Sequence, residues 1–349
     1  MFSENYGNFD DFGGFNGFET LKKFWEMKNE RKKLLAKIAY LYYLEERSQS
    51  DIAAETGIYR TTISRMLAEA KKEGIVKIEI EDFDTRLFHL ENYVKEKYGL
   101  KGIEIVSNLV DESPADLEER LAQAAAGMLR GLIKDNDKVG FSWGKSLSLL
   151  VEHSSSKHLT NVHFFPLAGG PSHIHARYHV NTLIYSMAGK YHGDCRFMNS
   201  TIIQENEQLT NGILASKYFE DLKSSWQELD VAVVGIGGQV DTRNRQWLDM
   251  LTSEDFLALE SQDAVGEICC RFFNKKGEMV YQHLQNRTIA ISLENLKKVP
   301  LSLGFAYGSQ KSAAILAVLR AGYVNHLVTD EATILKMLDL DGDRSFFTS

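Results

Sequence analysis

The chain has 349 residues, 44% hydrophobic and 25% charged, a balance that suits two or three globular domains and excludes a fibrous or wholly disordered protein. Its net charge is −8, yet thirteen Lys and Arg against eight acids fall between Lys22 and Lys77, a local excess of +5 in an acidic protein. No apolar run is long enough to cross a bilayer and no secretory signal is visible. Three cysteines, two of them adjacent (Cys195, Cys269, Cys270), argue against a disulfide framework and for a reducing, cytoplasmic setting without a membrane partner.

The first 20 or so residues are rich in Gly, Asn, Asp and Phe without periodicity, and residues 1–28 are expected to form a disordered extension. Residues 29–85 read as a small helical domain. Leu34, Leu35, Ile38, Ala39, Leu41 and Tyr42 recur at helical spacing, which predicts an amphipathic first helix over Arg31 to Arg47. Ser48 followed by Asp51 is a capping-box pattern opening a second helix, with Ile52 and Ala53 facing inward. Gly57 can take the positive φ of a sharp helix end. Ile63, Leu67 and Ala70 mark the buried stripe of a third helix. Arg60, Thr61, Thr62, Ser64 and Arg65 are then left outward near its N-terminal end. Arg pairs with two acceptors on guanine, and Thr bonds a base edge or touches a thymine methyl. Lys71 and Lys72 lie further along, as phosphate contacts that position without specifying. The pattern is that of a helix-turn-helix meeting the major groove of double-stranded operator DNA. A helical hairpin with a solvated basic face is the plainer reading; the concentration of positive charge favours the polyanion.

A connecting helix over about Asp84 to Tyr98, taken as residues 86–99, leads to the rest of the chain. From Gly102, short apolar runs alternate with helical stretches. Strands are predicted at 102–106, 139–142, 162–167, 195–198, 231–236, 301–306 and 326–329. Helices are predicted at 116–132, 146–152, 175–190, 205–218, 309–321 and 331–337. Continuous apolar strands alternating with helices predict an α/β domain over residues 100–349, a doubly wound, mostly parallel sheet that binds ligands beyond the carboxyl ends of its strands. Four glycine-rich loops stand at such ends: FSWGKS (141–146), LAGGPS (167–172), GIGGQ (235–239) and AYGSQK (306–311). Bare N–H groups at the start of a helix suit an anion, so a phosphate or polyol site is expected there. Ser142, Ser146 and the N–H groups around Gly144 would cradle a phosphate, with Lys145 and Lys311 as point charges. No loop fits a Walker A pattern, and no G-x-G-x-x-G follows the first strand, which argues against a nucleotide.

The helical block resembles the DNA-binding segment of the SorC family of sugar-responsive bacterial transcription regulators. The resemblance is carried by Gln49, Ile52-Ala53, Gly57, Arg60, Thr62 and Ser64-Arg65-Met66-Leu67. It adds Gln49 to the DNA contacts. The family usually has a capping Ser where this chain has Tyr59, and losing a capping hydroxyl typically costs ~1 kcal/mol. The C-terminal part is similar to the family's effector domain, itself similar to sugar-phosphate isomerases and deaminases. The stretches that match are GFSWGKSL (140–147), PLAGG (166–170), VVGIGG (233–238), GEICCRFFNKKG (266–277) and residues 308–333. The resemblance implies effector contacts at Ser142, Trp143, Gly144, Lys145 and Ser146, with Gly169, Gly170, Glu267 and Lys311 lining the same pocket. The family often has Asp where Glu267 stands. Arg177 and Asn181, spaced to share a helix face after the second loop, would also reach the ligand. A palindromic operator demands at least a two-fold dimer, and the resemblance implies tetramers.

These readings make the chain a regulator switched by a phosphorylated sugar, with no cofactor and no metal. The alternative is an isomerase- or deaminase-like enzyme with an accessory helical domain. It would need an acid and a base beside a loop. Glu267, Asp330 and Glu331 are available, but dipole stabilisation or helix capping explains the last two about as well. A covalent variant makes Lys145 a Schiff-base lysine toward an aldose phosphate; a plain phosphate contact is simpler. His173, His175 and His179 cluster, but Ala176 stands where a zinc-protease helix has Glu.

Overall fold

Apolar residues at helical spacing build a three-helix unit early in the chain: α1 (Asn16–Tyr43), α2 (Gln49–Thr56) and α3 (Arg60–Lys72). The computed structural model describes residues 16–78, 84–171, 175–240 and 250–348. Leu35, Ile38, Ala39 and Leu41 of α1 pack with Ile52 of α2 and with Ile63, Met66, Leu67 and Ala70 of α3. Leu34, expected in this core, is exposed. The first helix begins at Asn16 rather than Arg31, so residues 16–28 are helical and not a disordered extension. Strong helix formers between Glu19 and Lys28 carry it there. Residues 1–15 lie outside the described residues. The Ser48 hydroxyl accepts from the Asp51 amide (3.2 Å) and donates to its carboxylate (2.7 Å), opening α2. Gly57 closes α2 at φ +66°. Arg31 and Glu69 join α1 to α3 through two contacts of 2.8 Å.

The chain divides between Phe83 and Asp84. The second unit opens with α4 (Thr85–Tyr98), capped by the Asp84 carboxylate on the Leu87 amide. It continues through β1 (Gly102–Val106), α5 (Pro114–Leu132), β2 (Lys138–Phe141), α6 (Lys145–His153) and β3 (His163–Pro166). Then come α7 (Val180–Tyr191), β4 (Asp194–Cys195), α8 (Glu207–Leu214), α9 (Lys217–Gln227) and β5 (Val231–Gly235). A helix at Ser253–Ser261 precedes a hairpin of β6 (Gly266–Ile268) and β7 (Arg271–Phe273). After short helices at Gln282–Asn286 and Leu293–Lys298, β8 (Leu301–Phe305), the helix Ser312–Ala321, β9 (His326–Asp330) and the helix Glu331–Leu340 complete the fold.

The seven-stranded sheet has the order β1-β9-β8-β5-β2-β3-β4, with every neighbouring pair parallel. Its central strands are buried almost throughout, as strands covered on both faces must be. This is the doubly wound α/β architecture expected from the alternation. Two expected helices are divided. Residues 175–190 form a 3-10 turn (Ala176–Tyr178) followed by α7, and residues 205–218 span α8 and the first turn of α9. The chain leaves β2 toward β3 on one side and β5 toward β8 on the other. The adjacent strands β2 and β5 therefore flank a topological switch point, where their following loops part and leave a crevice.

Candidate functional site

On the helical unit, Arg60, Thr61, Ser64 and Arg65 are exposed on α3, with Thr62 half-buried among them and Gln49 half-buried at the start of α2. Lys72 is exposed, while Lys71 lies over the Tyr43 ring, 5.6 Å from its centre. Tyr59 occupies the N-cap of α3, makes no side-chain capping bond and is 84% exposed. The surface thus offers two guanidiniums and three hydroxyls from one helix end.

In the second unit a cavity of about 730 Å³ opens at the switch point. Its walls come from the loop after β2 (Ser142 to Leu147), the loop after β5 (Gly235 to Val240) and the segment after β8 (Phe305, Gln310, Lys311). Phe256, Leu259 and Glu260 of the helix Ser253–Ser261 and Glu267 and Cys269 of the hairpin close it. Gly144 caps α6 at φ +127°, a conformation open to glycine alone, and gives that helix no side-chain cap. Ser148 is the first residue whose amide bonds back into α6, to the Gly144 carbonyl at 2.9 Å. The amides of Lys145, Ser146 and Leu147 therefore face out of the helix end, an arrangement suited to an anion.

Glu267, from the hairpin, also lines the cavity. Its carboxylate accepts from the Cys270 amide at 2.8 Å, and burial pushes it up to about 7 against the pull of that bond and of the Lys311 charge. A Cβ on Gly237 would stand 2.1 Å from Glu267 Oε1, so only glycine leaves room for this acid. Burial pulls the Lys311 ammonium down from its ordinary range, with Glu267 and then Glu118 opposing, and its Nζ sits 5.7 Å from the centre of the Tyr307 ring. Cys269 and Cys270 form the two-residue turn of the hairpin, both at positive φ (54° and 57°), and the Cys269 thiol donates to the buried Ser142 hydroxyl at 3.3 Å. Burial raises both thiols, that of Cys269 to about 12, so neither is a nucleophile near neutral pH.

Lys145 is held above its ordinary range by Glu118 of α5, whose oxygens lie 2.9 and 2.7 Å from Nζ. A charged, ion-paired amine is a poor Schiff-base nucleophile, so this pairing favours the plain phosphate contact. The structure thus brings Ser142, Trp143, Gly144, Lys145, Ser146, Glu267 and Lys311 together. It places Gly169, Gly170, Arg177 and Asn181 outside the cavity. The Gly169 amide donates to the Ile289 carbonyl (2.9 Å) and the Gly170 amide to the Ser200 carbonyl (3.0 Å), so neither is free for an anion. A Cβ on Gly170 would lie 1.9 Å from the His179 ring, which makes these glycines packing residues. Asn181 is consumed by the Met198 backbone, donating at 3.0 Å and accepting at 3.1 Å, and Arg177 stacks on Tyr178.

Of the other candidates, Asp330 caps the helix Glu331–Leu340 and accepts from the Gly308 amide, while Glu331 pairs with Arg86 at 2.5 Å. His175 and His179 each accept from an amide two residues on, across the 3-10 turn, so their spacing does not make a helical metal pair. His173 lies outside the described residues. Among the described residues no group of three His, Cys, Asp or Glu is arranged to hold a metal. Glu118, Phe256 and Glu260 carried no sequence signal; they reach the site through packing of distant segments.

Residues 84–339 match the Sugar-bind family, described as "Putative sugar-binding domain". The chain is 36% identical over 309 residues to the "Sorbitol operon regulator" of Klebsiella pneumoniae, covering 86% of this chain and 96% of that one. A crystal structure of that full-length regulator, SorC, superposes with a TM-score of 0.70 at 35% identity, over 88% of this chain and 99% of the other. A transcriptional regulator from Streptococcus pneumoniae TIGR4 is 62% identical, with a TM-score of 0.73, over 75% of this chain and the whole of the other. Each is named as a regulator, not as an enzyme.

Proposed function

The chain belongs to the SorC family of transcription regulators, and we propose from that premise that its α/β unit binds a phosphorylated sugar or polyol which sets its hold on operator DNA. The observation that carries the effector class is the polarity of the cavity. It offers the open amides of α6 beside Lys145 on the one hand and Glu267 and Lys311 on the other. The first suits a phosphate and the second a row of hydroxyls. Ser142 and Ser146 complete the phosphate cradle, with Trp143 and Gly144 shaping it. On α3, Arg60, Thr61, Thr62, Ser64 and Arg65 read base edges, while Gln49, Lys71 and Lys72 hold the backbone. The protein acts in the cytoplasm as a homo-oligomer, since a palindromic operator is met by two-fold related subunits. The effector favours one arrangement of the effector units over another and so changes DNA affinity, which requires different affinity for the two arrangements.

Fluorescence anisotropy on the gene's own upstream DNA, with a panel of sugar phosphates, tests this reading. Arg65→Ala is expected to lose discrimination between operator and random DNA by about 1–3 kcal/mol. The double variant Ser142→Ala, Lys145→Ala is expected to bind DNA as before and to ignore the sugar phosphate. A double variant that still responds in full removes the phosphate cradle from this loop; a wild type that binds no DNA removes the regulator reading of α3.

A further inference from the structure

Glu118 stands on α5, away from the glycine loops. Both its carboxylate oxygens contact the Lys145 ammonium, at 2.9 and 2.7 Å. The positive charge beside the open end of α6 is therefore paired with Glu118. The field of the same carboxylate reaches into the cavity: after burial, it is among the causes that raise Tyr307, and it opposes the fall of Lys311. Tyr178 also faces Lys145, and Ser146 faces Tyr307. Glu118 is thus an acid at the Lys145 side of the cavity, on a different element from Glu267.

We propose that Glu118 is a specificity-determining residue of the effector site, competing with the incoming anion for Lys145 so that a phosphate dianion displaces it and a carboxylate monoanion does not. The inference rests on the phosphate reading of the α6 end. The pair is open enough to exchange: the Lys145 side chain is 56% exposed and that of Glu118 27%. Such pairs are weak and breakable. A monoanion arriving at Lys145 replaces one carboxylate contact by an equivalent one and gains little. A dianion brings a second charge to the same ammonium and to the α6 amides, and so wins the exchange. Sugar phosphates are thereby separated from sugar acids of the same carbon chain.

The test uses the full chain at pH 8, where phosphate is mainly a dianion. Inorganic phosphate and acetate are titrated into wild type, Glu118→Gln, Lys145→Ala and the double variant, with binding followed by thermal shift. Wild type is expected to prefer phosphate clearly. Glu118→Gln is expected to bind phosphate up to about fivefold more tightly, the ceiling for an exposed ion pair, and to gain by a larger factor for acetate, narrowing the preference; equal gains for the two anions overturn the specificity role. Both gains are expected to vanish when Lys145→Ala is added. Phosphate binding that is unchanged or weaker in Glu118→Gln, or a gain that survives loss of Lys145, overturns the inference. If wild type binds phosphate through Lys145 and Glu118→Gln leaves both anions unchanged, only the role of Glu118 falls. If no variant binds either anion, the phosphate reading falls and this inference with it.

Discussion

Glu267 titrates where cells operate, and that has a thermodynamic sign. Its folded value of about 7 lies above the ordinary 4.5, so the fold favours the neutral acid. The stability it contributes is complete below pH 4.5 and is lost as pH rises through 7, a change of up to ~3 kcal/mol for a shift of this size. Glu267→Gln removes the titration. Unfolding curves of wild type and variant between pH 5 and 8 are expected to diverge, with wild type losing ground as pH rises; parallel profiles would contradict the burial of this acid. Arg271 shows the opposite use of a buried charge: it donates to the carbonyls of Gln285 (2.8 Å), Ala290 (2.8 Å), Thr288 (3.2 Å) and Ile291 (3.3 Å), knitting one loop to the hairpin. Ser142, Gly144 and Lys145 were legible in the sequence because strand-end glycines before a helix leave a local trace. Glu118 and Phe256 were not, since nothing near them in the chain marks where they arrive. Gly169 and Gly170 misled for the same reason: a glycine needed for close packing reads like one needed for an anion.

Among the elements, α3 starts without a side-chain cap. Tyr59→Ser is expected to restore that bond and raise the stability of the helical unit by ~1 kcal/mol. Chemical denaturation measures it, and an unchanged midpoint would mean that solvent already serves the free amides. Tyr59 is exposed, so its removal leaves no cavity to offset the gain. The central strands were read from sequence nearly to the residue, because continuous apolar runs bounded by turns have few other meanings. The β6–β7 hairpin escaped. Its strands are three residues each, and its turn is Cys269-Cys270 where Asn-Gly would announce a two-residue connection. Two L residues in left-handed backbone cost roughly 1–2 kcal/mol each. That strain places the Cys269 thiol on Ser142 and the Cys270 amide on Glu267. The helix Ser253–Ser261 was missed as well, although Thr252 and Asp255 form a full capping box at its start.

Across the α/β unit, α4 is fastened to the far end of the chain. Lys97 reaches Asp341 at 2.6 Å and also pairs with Asp343, the Tyr98 hydroxyl donates to Asp341 at 2.9 Å, and Tyr93 packs on Phe346. Burial pushes the Asp341 carboxyl up, but hydrogen bonds from Lys97, Tyr98 and Arg320 outweigh it and hold the group below its ordinary range. This stability is present above the ordinary value and is lost as pH falls through the lowered one. Asp341→Asn is expected to cost about 1–3 kcal/mol at neutral pH, with a smaller deficit in acid. Urea unfolding at the two pH values checks it, and an equal deficit at both would assign the loss to packing. The cavity, for its part, is drawn from segments that the parallel sheet collects from across the unit, with Ser142 near one limit and Lys311 near the other. A polypeptide emerging from the ribosome therefore exposes its three helices long before Lys311 exists. Until β8 joins the sheet, the newborn chain carries α3 complete while the cavity at the switch point is still unbuilt.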